Sequence, residues 1–161
     1  MNTNKPSPIR VPRKPQYVTV TSKGDFFDVF KKVAAEYDHC FMLESLGEDS
    51  HISRHSLIGF DPQQTISARG QELTIEDRDG QVETYTSDNP YYLLRELVPQ
   101  NVLSRKYAGG LIGYIGYDAM NYFEPSLKLQ TSDWFDGFRF GVYLDGLIYD
   151  KMTGEVTYFY Y

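Results

Sequence analysis

Three short alternating segments in the middle of the chain constrain its fold more than any other feature. They cover residues 65–69, 72–77 and 81–85 and are separated by Arg69-Gly70 and by Asp79-Gly80. An Asp-Gly pair between alternating segments is typical of a β-hairpin, because both residues adopt the backbone angles that tight hairpin turns need. The sequence therefore predicts an antiparallel meander in this region.

Further strand-forming segments lie on both sides of the meander. They are rich in β-branched and aromatic residues and cover residues 16–21, 41–44, 56–60, 138–150 and 155–161. A predicted turn with the sequence KMTG joins the last two segments into a hairpin. Aromatic residues make up 16% of the chain, and this share favours pleated sheets.

Two segments instead show the three- and four-residue spacing of an amphipathic helix. The first is predicted over residues 24–37, where Ser22 is placed to cap the helix and Asp25 follows three residues later. The second is predicted over residues 89–98, with Asn89 or Asp88 as the cap and Pro90 in the first turn. Together with the strands, these helices predict an α+β fold that is mainly antiparallel β-sheet, sandwich-like, with two main helices.

The length of the chain and its first residues predict how it is organised into domains. A chain of 161 residues has the length of a single domain. Residues 1–15 contain four prolines, four basic residues and no acid, and are predicted to form an extended or mobile lead-in. The domain itself is predicted to cover residues 16–161. Because a predicted strand runs into the C-terminus, we expect the chain to be part of a longer protein.

Charge, hydropathy and cysteine content exclude several classes of protein. Outside residues 1–15 the chain has 12 basic and 22 acidic side chains, so its net charge there is 12 − 22 = −10, which disfavours nucleic-acid binding. The sequence has neither an N-terminal apolar segment nor a run of eighteen apolar residues, so we expect a cytoplasmic protein without a membrane partner. The one cysteine, Cys40, excludes an internal disulfide and is interpreted as a small buried apolar residue.

A carboxylate and a hydroxyl lie at the end of one predicted buried strand. Glu44 and Ser45 close this strand and open a polar loop of about nine residues, which is longer than most connections. A glutamate pairs with an ammonium group, while a serine and free backbone N–H groups bond a carboxylate. The strand end is therefore suited to a small zwitterion; the alternative is an acid that faces water and a serine that starts a turn.

A glycine-rich motif, GGLIGYIGYD, covers Gly109 to Asp118. It lacks the Lys-Ser/Thr ending of a phosphate-binding loop, and a dinucleotide pattern would need glycine at Ala108. We therefore interpret its glycines as positions of close backbone approach in a strand or tight turn.

The sequence does not predict a metal site. His39, His51 and His55 are not spaced as zinc ligands with a neighbouring cysteine. The acids of the C-terminal part, such as Asp133 and Asp145, are too scattered to predict a magnesium site.

In their order and spacing, these motifs resemble the N-terminal region of anthranilate synthase component I, a member of the chorismate-utilising enzyme family. The resemblance rests on FMLES at residues 41–45, RHSLIGFDP at residues 54–62, the glycine motif through Glu124, and the strand that ends in DGLIYD. In that family the corresponding glutamate and serine belong to a pocket for tryptophan. The resemblance thus implies tryptophan contacts from Glu44 and Ser45, with Leu43 lining the pocket and His55 at a position that the family often fills with tyrosine.

The resemblance also implies a function for the whole enzyme. Anthranilate synthase is a lyase of tryptophan biosynthesis; it converts chorismate to anthranilate with ammonia from a glutamine amidotransferase subunit and is feedback-inhibited by tryptophan. Mg²⁺ and the catalytic residues belong to a later catalytic domain. We therefore expect this chain to be a regulatory and structural domain that holds no cofactor or catalytic residue and is inert alone.

Three alternatives remain open from the sequence. The chain could be the N-terminal domain of aminodeoxychorismate synthase component I, which shares these motifs. It could also be a standalone small-molecule binding module, or a structural domain without a ligand.

Overall fold

The computed structural model describes residues 5–21, 24–47, 53–100, 102–104 and 106–161. Within them the chain forms ten β-strands, two α-helices and two short 3₁₀ helices. In chain order the strands are β1 (Gln16–Val20), β2 (Cys40–Glu44), β3 (His55–Phe60), β4 (Gln64–Arg69), β5 (Glu72–Asp77), β6 (Val82–Thr86), β7 (Gly110–Ile115), β8 (Phe138–Tyr143), β9 (Gly146–Asp150) and β10 (Glu155–Tyr160). The helices are α1 (Phe26–Glu36), α2 (Pro90–Leu97) and the 3₁₀ helices Tyr117–Tyr122 and Pro125–Leu127.

The chain divides into two compact units, which we name after the α-helix that each contains. The α1 unit comprises Pro12–Pro62, Val102–Gly110 and Tyr143–Tyr161. The α2 unit comprises Met1–Val11, Gln63–Asn101 and Leu111–Val142.

The α1 unit is built on a five-stranded antiparallel sheet with the order β1-β10-β9-β3-β2. Helix α1 begins after Asp25, whose Oδ1 accepts a hydrogen bond from the backbone N–H of Phe27 at 3.2 Å. The apolar stripe of the helix then packs on the sheet, where Phe26 joins Ile58 and Val156 in a buried cluster. Burial of this stripe holds the helix, because eleven residues are marginal as an isolated helix.

The α2 unit contains the second five-stranded sheet, with the order β6-β5-β4-β8-β7. Strands β4, β5 and β6 form the predicted meander, and Gly80 in the second turn has the positive φ of 78° that favours glycine. Asn89 caps α2 by accepting from the N–H of Tyr91 at 3.1 Å, and the helix buries its leucine face. Buried apolar side chains of this unit are Ile66, Ala68, Leu73, Ile75, Leu93, Leu94, Leu97, Ala119, Phe138 and Val142.

The structure confirms the predicted α+β class, its mainly antiparallel sheets and both α-helices. The first helix is shorter than predicted at each end, and Asp25 is its cap, whereas the predicted cap, Ser22, lies outside the described residues. The second helix begins one residue after the predicted start, with Asn89 as its cap, as expected.

The strand-forming run over residues 138–150 is not one strand, although its second half forms the predicted hairpin with β10. The run is divided between the two sheets, as β8 in one and β9 in the other, with a break at Leu144 and Asp145. Gly146, just after the break, approaches the neighbouring strand so closely that an added Cβ would lie 2.5 Å from the carbonyl oxygen of Ile58. Asp145 accepts a hydrogen bond from the Tyr158 hydroxyl at 2.8 Å, which fixes the chain at the change of sheet.

The N-terminal segment has no regular element over residues 5–15, and several contacts fix its position. The Ile9 N–H donates to the Leu97 carbonyl at 3.0 Å, and Lys5 lies 3.7 Å from Glu96. Pro6 and Pro15 are buried. Among the described residues, no helix has the length and hydropathy needed to cross a lipid bilayer.

Candidate functional site

The candidate site lies in the α1 unit, where strand β2 ends at Glu44. Strand β2 is an edge strand, and its register places Glu44 opposite Ser56, which in turn lies opposite Tyr149. Residues paired across antiparallel strands project to the same face of the sheet. Glu44 and Ser56 therefore share one face, with the Glu44 side chain 42% exposed and Ser56 fully buried.

Ser56 is the unusual member of this pair. Its hydroxyl is buried and has no hydrogen-bond partner in the described part of the chain. An unsatisfied buried hydroxyl costs about 1–3 kcal/mol, so such groups are rare in folded proteins. Beside a carboxylate at a strand end, this hydroxyl is a polar group available to a ligand.

Lys151, in the turn between β9 and β10, connects both ends of the β2–β3 loop. Its ammonium group donates to the Ser45 carbonyl and lies 3.9 Å from Oε1 of Glu44. Its backbone N–H donates to the Arg54 carbonyl at 2.9 Å. The side chain of Lys151 is only 17% exposed, so its charge lies in a partly desolvated position next to the Glu44 carboxylate. Residues 48–52 of the predicted polar loop lie outside the described residues.

A second ion pair fixes the start of β3 to the same turn. Nε of Arg54 donates to both carboxylate oxygens of Asp150, at 3.0 and 2.9 Å. The hydrogen bonds from Arg54, together with a backbone hydrogen bond from Met152, lower the pKa of Asp150 to about 2. Charge-assisted bonds of this kind are among the stronger side-chain contacts. The turn that carries Lys151 is therefore held firmly at the loop.

The other two predicted site residues lie on the opposite face of the sheet. Leu43 pairs with Leu57, and His55 lies two residues before Leu57, so both face away from Glu44. His55 is exposed, with Nε2 4.0 Å from the Asp150 carboxylate, and it lines a cavity of about 620 Å³ on that face. The structure thus brings Glu44 and Ser45 together with Lys151 and places Leu43 and His55 across the sheet.

Two residues of this site, Ser56 and Lys151, were missed by the sequence reasoning. Ser56 lies in an apolar strand segment, where a serine has no pattern that predicts an unpaired hydroxyl. Lys151 is 106 residues from Ser45 in the chain, so only the tertiary fold reveals their contact.

The glycine motif has the packing role that the sequence predicted. A Cβ added at Gly113 in β7 would lie 1.9 Å from the carbonyl oxygen of Arg139, and one added at Gly116, just after β7, would lie 2.8 Å from Oδ1 of Asp118. Gly109 combines a φ of 82° with an approach to the Tyr143 carbonyl that would leave 2.2 Å for a Cβ. Over the residues that the structure describes, no group of three or more His, Cys, Asp or Glu side chains could hold a metal ion.

Comparison with known proteins gives one consistent result. No family model matches the chain. It is 44% identical over 94% of its length to anthranilate synthase component 1 of Leptospira biflexa, and 39% identical over 82% to the protein of that name from Methanothermobacter thermautotrophicus. It is also 31% identical over 75% of its length to anthranilate synthase component 1 of Synechocystis.

The matched region is only part of each relative. The chain spans 32% of the Leptospira protein and 28% of each of the other two, or about a third of their length. Identity at this level over most of the chain establishes common descent. The chain belongs to the anthranilate synthase component 1 family and corresponds to the N-terminal domain of that enzyme.

Proposed function

We propose that this chain is the regulatory N-terminal domain of an anthranilate synthase component 1, and that tryptophan binds at the end of β2 as a feedback inhibitor. In this proposal, a catalytic domain with Mg²⁺ converts chorismate to anthranilate, and a glutamine amidotransferase component supplies ammonia. The chain by itself is inert. The relatives described above are all anthranilate synthases by name, which favours this enzyme over aminodeoxychorismate synthase.

The buried, unpaired hydroxyl of Ser56 beside Glu44 is the main structural support for a tryptophan site at this strand end. A free amino acid presents an ammonium group and a carboxylate close together. Glu44 and Lys151 offer the matching opposite charges 3.9 Å apart, and Ser56 offers a hydroxyl that a ligand atom would satisfy. A site with buried polar groups discriminates strongly, because a molecule that leaves them unpaired binds less well.

The position of β2 at the sheet edge explains how one ligand could contact predicted residues that lie on two faces of the sheet. An edge strand has backbone groups that no neighbouring strand pairs, and both of its faces are accessible from the edge. A ligand along this edge reaches Glu44 on one face and Leu43 on the other. Leu43 is 46% exposed and supplies apolar surface for an indole ring, with His55 next along that face.

Inhibition follows if the ligand favours one arrangement of the β2–β3 loop. Lys151 contacts residues at both ends of that loop, so an amino acid that competes for Lys151 and Glu44 alters how the loop is held. A ligand shifts such an equilibrium only by its differential affinity for the two arrangements. The catalytic domain would report the shift as a lower rate.

The test uses a hybrid enzyme in which this chain replaces the matched part of the Leptospira biflexa relative. We expect Glu44→Ala or Ser45→Ala to raise the tryptophan concentration for half-inhibition by about tenfold or more, a loss of about 1.4 kcal/mol of binding, while the uninhibited rate stays within about twofold. Glu72→Ala, at an exposed strand end of the α2 unit, is the control for loss of a glutamate. Unchanged inhibition in the Glu44 and Ser45 variants would contradict the site.

Ser56→Ala tests directly whether the buried Ser56 hydroxyl binds the ligand. Removing an unsatisfied buried hydroxyl should raise the free energy of unfolding of the chain by about 1 kcal/mol, while the hybrid loses tryptophan affinity. A hydroxyl with a purely structural role would show the reverse change in stability. For the isolated chain, calorimetry is expected to show weak or no tryptophan binding; tight binding would instead favour a standalone binding module.

A further inference from the structure

Four large aromatic side chains of the α2 unit are exposed to solvent near one another. They are Tyr114, Tyr117, Trp134 and Phe135, which we call the aromatic patch. Their exposed fractions are 40%, 83%, 88% and 65%, and Trp134 is the one tryptophan of the chain. Fully burying an aromatic side chain removes about 150–250 Å² from water, so the patch presents on the order of 500 Å² of apolar surface. That is near the upper end for the largest patch of a soluble monomer.

Three of the four members of the patch border one shallow depression. Tyr114, Tyr117 and Phe135 line an open cavity of about 420 Å³, and the rings of Tyr114 and Phe135 meet edge to face with centroids 6.5 Å apart. Trp134 adjoins Phe135 in the chain. The carboxylate at this cavity, Asp118, accepts a hydrogen bond from the Ser132 N–H at 2.9 Å, so one of its oxygens already has a partner within the chain.

Backbone hydrogen bonds fix the loop that carries the patch. The Ser132 hydroxyl accepts from the N–H groups of Trp134 and Phe135 at 3.2 and 3.3 Å, and Ser132 is itself bonded to Asp118. The Gly116 N–H donates to the Gly137 carbonyl at 2.7 Å, which closes the loop onto β7. Rigid presentation of aromatic side chains lowers the entropy cost of association, and such residues dominate the centres of protein interfaces.

We propose that the aromatic patch is the surface on which the remaining part of the anthranilate synthase component 1 polypeptide docks. This inference rests on the proposed function, since it requires an enzyme of which this chain is one part. The relatives supply the occupant: the chain spans about a third of their length, so in an enzyme of that length about two thirds of the polypeptide lies outside this chain. The net charge of −6 disfavours a second copy as the occupant, because like-charged copies repel each other.

Thiol protection tests the surface in the hybrid enzyme. Trp134→Cys is introduced into a Cys40→Ser background, and the labelling rate of the new thiol is read by peptide mass spectrometry in the isolated chain and in the hybrid. We expect labelling to slow by at least about tenfold in the hybrid, because the rest of the enzyme covers the site. Val82→Cys is the matched control, since Val82 is 59% exposed on β6, the opposite edge strand of the same sheet.

The outcomes separate this inference from the proposed function. Equal labelling of the Trp134→Cys thiol in the chain and the hybrid overturns the docking surface, even if tryptophan still inhibits. Protection without tryptophan inhibition supports the surface and counts against the tryptophan site. Protection in the isolated chain that grows with its concentration identifies a second copy as the occupant and overturns the proposal.

If the hybrid does not fold, association of two separate chains tests the same surface. The isolated chain is mixed with the separately expressed remainder of the Leptospira relative, and association is followed by analytical ultracentrifugation. We expect a one-to-one complex that Trp134→Ser with Phe135→Ser weakens at least about tenfold and that Val82→Ser leaves unchanged. No complex, or equal weakening by the control, contradicts the proposal.

Discussion

The end of β2 and the aromatic patch are both exposed sites that follow family motifs, yet they are held in opposite ways. At the end of β2 the contacts are long-range: Lys151 reaches Ser45 across 106 residues of chain. At the aromatic patch they are local: the Ser132 N–H donates to Asp118 only 14 residues away, and the Ser132 hydroxyl accepts from the N–H groups two and three residues later. Distant parts of the α1 unit must assemble before the first site exists, whereas the second is supported by its own loop.

The two sites also differ in what they leave unsatisfied. Beside Glu44 the structure leaves a buried hydroxyl on Ser56 without a partner in the described residues, which suits a small polar ligand. At the aromatic patch the polar groups bond one another and exposed aromatic surface remains, which suits another protein surface. An unpaired polar group and an uncovered apolar surface thus indicate different kinds of partner.

We expect the largest effects on stability when a glycine of the sheet that supports each site is replaced by alanine. Gly113→Ala places a methyl group 1.9 Å from a backbone oxygen of the next strand, whereas Gly59→Ala places one 2.1 Å from the outer edge of the Phe41 ring. A side chain can rotate away and a sheet backbone cannot. We therefore expect Gly113→Ala to lower the free energy of unfolding by about 3 kcal/mol or more and Gly59→Ala by about 1–2 kcal/mol.

Urea denaturation of the two variants measures this difference. Gly80→Ala, at a positive φ with open space around it, is the control for backbone conformation alone and should cost about 1 kcal/mol. Equal losses from Gly113→Ala and Gly59→Ala would show that the sheet around β7 yields as readily as a side chain.

Much of the fold could be predicted from local patterns. The meander, the Asp79-Gly80 turn and the capped start of α2 at Asn89 each depend on residues a few positions apart, and the structure confirms them. The division of residues 138–150 could not be predicted in this way. Both halves of that run have strand-forming residues, and only the Asp145-Gly146 pair marks the place where the chain changes sheets.

The candidate site was less predictable for a physical reason. The family motif led to Glu44 and Ser45, but alternation along β2 places Leu43 on the other face, and register places Ser56 beside Glu44. Register depends on the pairing of distant strands, which a single sequence does not reveal. The contacts of Lys151 likewise require that the β9–β10 turn meet the β2–β3 loop.

We expect a smaller, pH-dependent effect on stability from the Arg54–Asp150 ion pair, which holds the β9–β10 turn. Because Arg54 lowers the pKa of Asp150 to about 2 in the folded chain, below the ordinary value of 3.8, the unfolded chain takes up the proton first as the solution is acidified. The stabilisation is therefore complete above about pH 5 and lost as the pH falls towards 2. After allowance for solvent screening it amounts to about 1 kcal/mol.

Asp150→Asn should remove that part of the pH dependence. Urea midpoints at about pH 3 and pH 7 measure it, and Asp79→Asn, in an exposed turn, controls for the loss of one carboxylate. If Asp150→Asn and the unmodified chain lose stability equally on acidification, the ion pair does not hold the turn at the strand end.

The smallest effect is expected at the aromatic patch in the isolated chain. Trp134→Ser and Phe135→Ser remove side chains that are 88% and 65% exposed, so few packing contacts are lost. We expect each to change the free energy of unfolding by less than about 0.5 kcal/mol in urea denaturation. Phe138→Ala, at a fully buried position in the same unit, should cost about 3–5 kcal/mol and shows that the assay detects a packing role.

A loss above about 1 kcal/mol for Trp134→Ser would show that this side chain packs within its own unit, and the contrast with the strand end would then fail. Little change in the isolated chain, together with weaker association with the rest of the enzyme, is the combination expected of a surface whose partner lies outside the unit.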